Sequence, residues 1–175
     1  MVSDQIKGGF MAVFDKRINN CVRLDWRILM NGSVSLYHDI DTLNEDIQWL
    51  ENESYQLHIF DFHIIKTSEE FHKVAKEKLK FPDYYGENLA AFRDCLINDL
   101  QIPEDGGTAV VFKGFDEYYR SDEDYAHEIL ERLDETSRKQ MLYGRRFLTL
   151  LQIDDKSTLI KEIGQHTVVW NICGK

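Results

Sequence analysis

Cysteine is scarce in this 175-residue chain and badly placed for chemistry. Its three cysteines, Cys21, Cys95 and Cys173, are odd in number and far apart. They form neither a disulfide framework nor a Cys-x-x-Cys metal or redox motif. There are only two prolines and no low-complexity tract, so the chain is expected to fold from end to end. No run of about 18 apolar residues is present, which excludes a membrane-spanning helix. The opening residues, Met1-Val2-Ser3-Asp4-Gln5, lack the basic stretch and apolar run of a secretory signal, so a cytoplasmic location is expected.

Positive charge is also in short supply. Thirty-one acidic residues face 21 basic ones, a net charge of −10. From Asp83 to Glu135 there are 15 acidic residues and four basic ones, so this central third holds more than the whole net charge. Such a field repels nucleic acid and anionic lipid and attracts cationic partners. The same excess would also coat an ordinary soluble surface.

The standard catalytic and metal patterns are missing too. His58 and His63, read as one strand, point to opposite faces and cannot share an ion. His72 and His127 have no ligand at four-residue spacing. Gly106-Gly107-Thr108 lacks the lysine and following helix of a phosphate loop. Cys95 lies beside the core face of a helix, as structural thiols do. No catalytic residue, metal or cofactor is assigned, and the chain is read as a non-enzyme.

Apolar periodicity supplies the fold. Phe10–Phe14 and Val22–Met30 are rich in strand formers, and Asn31-Gly32 separates the latter from Val34–Tyr37. That pattern predicts a β-hairpin. Leu43, Ile47 and Leu50 predict a helix over 41–52. A dense apolar run from Gln56 to Ile65 reads as a strand covered on both faces. Thr67 or Ser68 then caps a helix with Phe71, Val74, Ala75 and Leu79 inward, ended at Pro82. Asn88 caps another, with Leu89, Phe92, Leu96 and Ile97 as its core stripe. A strand at 108–112, an acidic helix over 122–139 and a strand at 147–151 follow. The tail offers a helix around 159–163 and a strand over 167–172. Strand, helices, strand, helix, strand implies right-handed crossovers and a small parallel sheet.

One segment stands out: Phe81-Pro82-Asp83-Tyr84-Tyr85-Gly86-Glu87-Asn88-Leu89-Ala90-Ala91-Phe92-Arg93-Asp94-Cys95-Leu96. Positions 90 and 94 are one turn apart, on a face about 100 to 140 degrees from the Leu89/Phe92/Leu96 stripe. That face lies at the edge of the core or in water. Tyr84, Asn88, Arg93 and Asp94 can make aromatic and charged contacts there. Alternatively, both tyrosines are core residues and Asp94 is one surface charge among many.

This segment resembles the loop and second helix of the barstar family, intracellular inhibitors of the secreted ribonuclease barnase. The Pro-Asp-Tyr-Tyr-Gly-Glu-Asn-Leu run and the Asp-Cys-Leu triplet carry the resemblance, and element order agrees from about Tyr55 to Asp155. It implies an α/β protein with a barstar-like small parallel sheet and packed helices over 55–155. An N-terminal β-hairpin and helix appendage over 1–54 and a C-terminal extension over 156–175 would flank it. It implies a function as well: plugging the active site of a basic secreted ribonuclease or nuclease toxin, with carboxylates where RNA phosphates would lie. No nucleic-acid or membrane partner is expected. Carried over by position, Tyr84 matches the contact tyrosine, Gly86, Asn88 and Leu89 the loop and helix start, and Asp94 the central aspartate. Glu135 matches the acidic contact on a following helix. Two positions depart from the pattern: Ala90 stands where the family has a second aspartate, and Arg93 where it has tryptophan. A binding module with a different partner is the alternative.

Overall fold

The computed structural model describes residues 23–171. Its elements are α1 (Leu24–Met30), β1 (Val34–Tyr37), α2 (Ile40–Asn52), β2 (Tyr55–Asp61), α3 (Ser68–Lys78), α4 (Leu89–Asn98), β3 (Gly107–Lys113), α5 (Phe115–Ser121), α6 (Glu123–Leu142), β4 (Phe147–Gln152) and β5 (Val169–Trp170). The strands form one sheet in the order β2-β3-β4-β1-β5, and every pairing is parallel. The sheet therefore draws strands from all three segments of the sequence. The α/β class and the small parallel sheet with packed helices stand as expected.

Alternate residues of β1, β2, β3 and β4 feed two cores. Phe60, Val110, Phe112, Phe147, Leu151, Val34 and Leu36 face one side, beneath α3, α4, α5 and α6. Tyr55, Ala109, Val111, Leu148, Leu150 and Tyr37 face the other, beneath α1 and α2. The first core is an aromatic web: Phe62 lies 4.7 Å from Phe115 and 4.8 Å from Phe112, ring centroid to centroid. Buried on both faces, β3 and β4 are apolar along nearly their whole length.

The predicted hairpin is absent from the described residues. Leu24–Met30 is a helix, and β1 pairs in parallel with β4 and β5 rather than folding back on a neighbour. Leu24, Ile28 and Leu29 turn inward at helical spacing. Asn31 closes the helix, its side-chain amide donating to the Arg27 carbonyl at 3.0 Å, and Gly32 follows at φ 95°. Asn-Gly suits a hairpin turn and a helix end for the same reason, tolerance of left-handed backbone. The expected strand at Phe10–Phe14, Val22, Cys21 and Cys173 lie outside the described residues.

Two further corrections concern the second half. No helix forms at 159–163. The Lys161 amide donates to the Tyr119 hydroxyl at 3.1 Å and the Gly164 amide to Glu131 at 3.0 Å. Side chains of α5 and α6 thus satisfy the backbone a helix would have used. Helix α5 was not anticipated, although Phe115, Tyr118 and Tyr119 carry the i, i+3, i+4 signal and are all buried. His63 lies beyond the end of β2, its ring nitrogens 2.7 Å from Asp61 and 3.0 Å from Asp154.

Candidate partner-binding edge

The loop between α3 and α4 is fixed from within. Thr67 and Glu70 form a reciprocal capping box at the start of α3. Beyond its other end the rings of Phe81 and Tyr85 pack in the core with centroids 4.9 Å apart, tilted by 59°. The Tyr85 hydroxyl meets Nδ1 of His72, whose Nε2 lies 2.6 Å from the Tyr125 hydroxyl on α6. Burial pushes the His72 imidazole below its ordinary range, so it stays neutral and bridges the two tyrosines. With Tyr85 held inward, its neighbour Tyr84 must point out, and it is 72% exposed.

Helix α4 begins by the same local logic. Asn88 accepts from the Ala91 amide at 2.9 Å and donates to the Gly86 carbonyl at 3.0 Å. A Cβ on Gly86 would come 3.2 Å from that same amide nitrogen, so glycine keeps the cap close. Phe92, Cys95 and Leu96 turn into the core, and Leu89 packs half-buried against it. Ala90 and Asp94 face water one turn apart, and the Asp94 side chain is 66% exposed. Burial raises the Cys95 thiol to about 11, which suits a structural cysteine and not a nucleophile.

The remaining expected residues form an ion-pair cluster with α6. Arg93 donates through Nε and Nη2 to both Glu135 oxygens, at 2.7 and 2.6 Å. Its Nη1 makes only a 3.3 Å contact with Asp94. Lys139 Nζ adds a 3.0 Å bridge to Glu135. Led by the Arg93 hydrogen bonds, these partners hold the Glu135 carboxyl at about 2. The structure leaves Tyr84, Gly86, Asn88, Ala90 and Asp94 exposed and Arg93 partly so, in the loop before α4 or on α4 itself, with Glu135 engaged by Arg93 and Leu89 packed half-buried against the core.

Asp99 was missed by sequence reading. It accepts from the Tyr84 hydroxyl at 2.6 Å, which fixes the outward ring and pushes that hydroxyl up to about 12. No local pattern marks Asp99, because the contact joins a loop to the far end of the next helix. Glu87, exposed at the loop apex, holds a left-handed backbone at φ 49°. Among the described residues no cluster of three or more His, Cys, Asp or Glu could hold a metal. No described helix is long and apolar enough to cross a membrane.

Comparison with known proteins bears on this edge directly. The sequence model described as "Barstar (barnase inhibitor)" matches residues 55–152, from the start of β2 to the end of β4. A Bacillus subtilis (strain 168) protein named "Putative ribonuclease inhibitor YrdF" is 35% identical over 81 residues, covering 46% of this chain and 85% of that protein. Among solved structures, a chain from "Structure of Drosophila ORC bound to AT-rich DNA and Cdc6" aligns at 14% identity with a TM-score of 0.47. That alignment covers 84% of this chain, which spans about half (53%) of the other, and a likeness so low carries no argument here. The barstar match runs over more than half of the chain and takes in the whole loop-and-helix edge: the chain belongs to the barstar family.

Proposed function

We propose that this chain is an intracellular immunity-type inhibitor, one that blocks the active site of a ribonuclease or related nuclease toxin by acidic substrate mimicry. The observation that carries the reading is the state of Asp94. It stands exposed on a helix capped by Asn88, with one 3.3 Å contact to a neighbouring side chain. A basic secreted nuclease presents cations where RNA phosphates bind, and a fixed carboxylate can occupy such a position. The acidic central third speeds encounter, and desolvated charge pairs slow dissociation, behaviour for which barnase and barstar are themselves the standard example. The family's name and that of the Bacillus relative support a ribonuclease as the partner.

The direct experiment titrates the chain against barnase and against any basic nuclease encoded beside its gene, reading residual RNA cleavage. Stoichiometric loss of cleavage by one of them is the expected result. Unchanged cleavage by all of them contradicts the reading.

A second reading is a barstar-like module with a non-nuclease partner. It is favoured by Ala90, an exposed methyl where the family pattern has a carboxylate, and by Arg93, a cation where that pattern has tryptophan. Affinity capture from native extract separates the two, since under the first reading a basic nuclease dominates the bound fraction.

A further inference from the structure

The geometry points to a proton-operated latch at the carboxyl ends of β2, β3 and β4, in which the His63 ring bridges Asp61 and Asp154 and ties the turn after β2 to the segment after β4. It does not depend on the inhibitor reading. Phe62 is turned into the core, so its neighbour His63 turns out, with its side chain 58% exposed. Nδ1 lies 2.7 Å from Asp61 Oδ1, and Nε2 lies 3.0 Å from Oδ2 of Asp154, 91 positions further along the chain. The ring rests on Gly114, just past β3, where a Cβ would come 2.5 Å from both Cε1 and Nε2. Three adjacent strand ends therefore meet at one imidazole.

Both carboxylates are placed by bonds that do not involve the ring. The His63 backbone amide donates to the same Asp61 oxygen at 3.0 Å. The Gln152 side-chain amide donates to Asp154 Oδ1 at 2.7 Å, while its oxygen accepts from the Gly114 amide at 2.6 Å. Ionised carboxylates only accept, and a neutral imidazole has a single N–H to give. Holding both therefore takes the two N–H groups of an imidazolium. The hydrogen bond to Asp61, then that to Asp154, pushes His63 above its ordinary 6.5. The remaining charged groups around the bridge are engaged elsewhere or act on the carboxylates. On α5, Glu117 is held by Lys66 at 2.5 Å, and Asp116 accepts from the Asp154 amide at 3.2 Å. Lys113 of β3 faces Asp61, and His38, past β1, faces Asp154. Loss of the ring proton strips one carboxylate of its donor and leaves it beside a second anion. The latch is closed from the carboxylate range up to the raised imidazole value, and it opens as pH rises through that value.

Two measurements on the full chain test the latch. Imidazole proton resonances are followed against pH by NMR, with His63→Gln supplying the assignment. His63 should titrate above about 6.5, and Asp61→Asn and Asp154→Asn should each lower its midpoint by about half a unit or more. In parallel, urea midpoints are compared between the unchanged chain and His63→Gln across the same pH range. The unchanged chain should be the more stable below the titration, and the gap should close above it. Should His63→Gln lose its folded circular dichroism spectrum, His63→Asn takes its place. A His63 midpoint at or below about 6.5 overturns the proposal. So does a midpoint that answers to only one of the two aspartates, which would leave a single pair and no bridge between strand ends. A stability gap that stays the same across the titration overturns it as well, because the proton then operates nothing.

Discussion

Asp25 and Asp94 are the same residue type in opposite circumstances. Asp25, on α1, is 2% exposed and receives Arg23 twice, at 3.0 and 3.1 Å, with the Tyr55 hydroxyl and the Trp26 amide at 2.8 Å each. Burial alone would push its carboxyl up, but the Arg23 and Tyr55 hydrogen bonds outweigh that and hold it below its ordinary range. Asp94, on α4, faces water with a single 3.3 Å neighbour. A carboxylate whose acceptor sites are filled belongs to the fold. One left open on a rigid helix is available to a second molecule.

The largest expected effect breaks the comparison on the Asp25 side. Asp25→Ala leaves the Tyr55 hydroxyl buried without its acceptor and removes the tie from α1 to β2. It should cost about 3 kcal/mol in the urea unfolding free energy. A loss below about 0.5 kcal/mol would show that α1 is not anchored through this carboxylate.

A smaller, pH-dependent effect sharpens the contrast. The Glu135 carboxyl sits at about 2 in the folded chain against an ordinary 4.5, so its ion pairs stabilise the fold fully above about 4.5. That contribution is lost as pH falls toward about 2. Glu135→Gln should therefore flatten stability against pH across this interval and leave the slope above it unchanged, as followed by thermal melts between pH 2 and 7. An unaltered slope would mean that the Arg93 fork contributes nothing to the fold.

The edge was largely legible in the sequence because its determinants are local. Asn88 marks the cap within three residues of its partner amide, and the stripe of Phe92 and Leu96 fixes which way position 94 faces. What stayed hidden depends on residues distant in the chain. Nothing near Tyr84 announces Asp99, and nothing near Arg93 announces a fork to Glu135 on another helix. The hairpin misreading at Asn31-Gly32 has the same root. The local signal was correct about backbone freedom, but the strand partners of β1 lie more than a hundred residues away in β4 and β5. Likewise α5 was passed over because it spans only seven residues directly after Gly114, whose φ of 65° ends β3 abruptly.

The account turns on Asp94 being free of duty to its own fold. Its most direct test compares Asp94→Ala with the unchanged chain in two measurements: the urea midpoint, and the dissociation rate of the complex with the inhibited nuclease. The midpoint should correspond to a change within about 0.5 kcal/mol, as for an exposed substitution. The dissociation rate should rise by about thirtyfold or more, the behaviour of an interface hot spot. A lowered midpoint with an unchanged rate would place Asp94 among the residues that hold the molecule together and contradict the central claim.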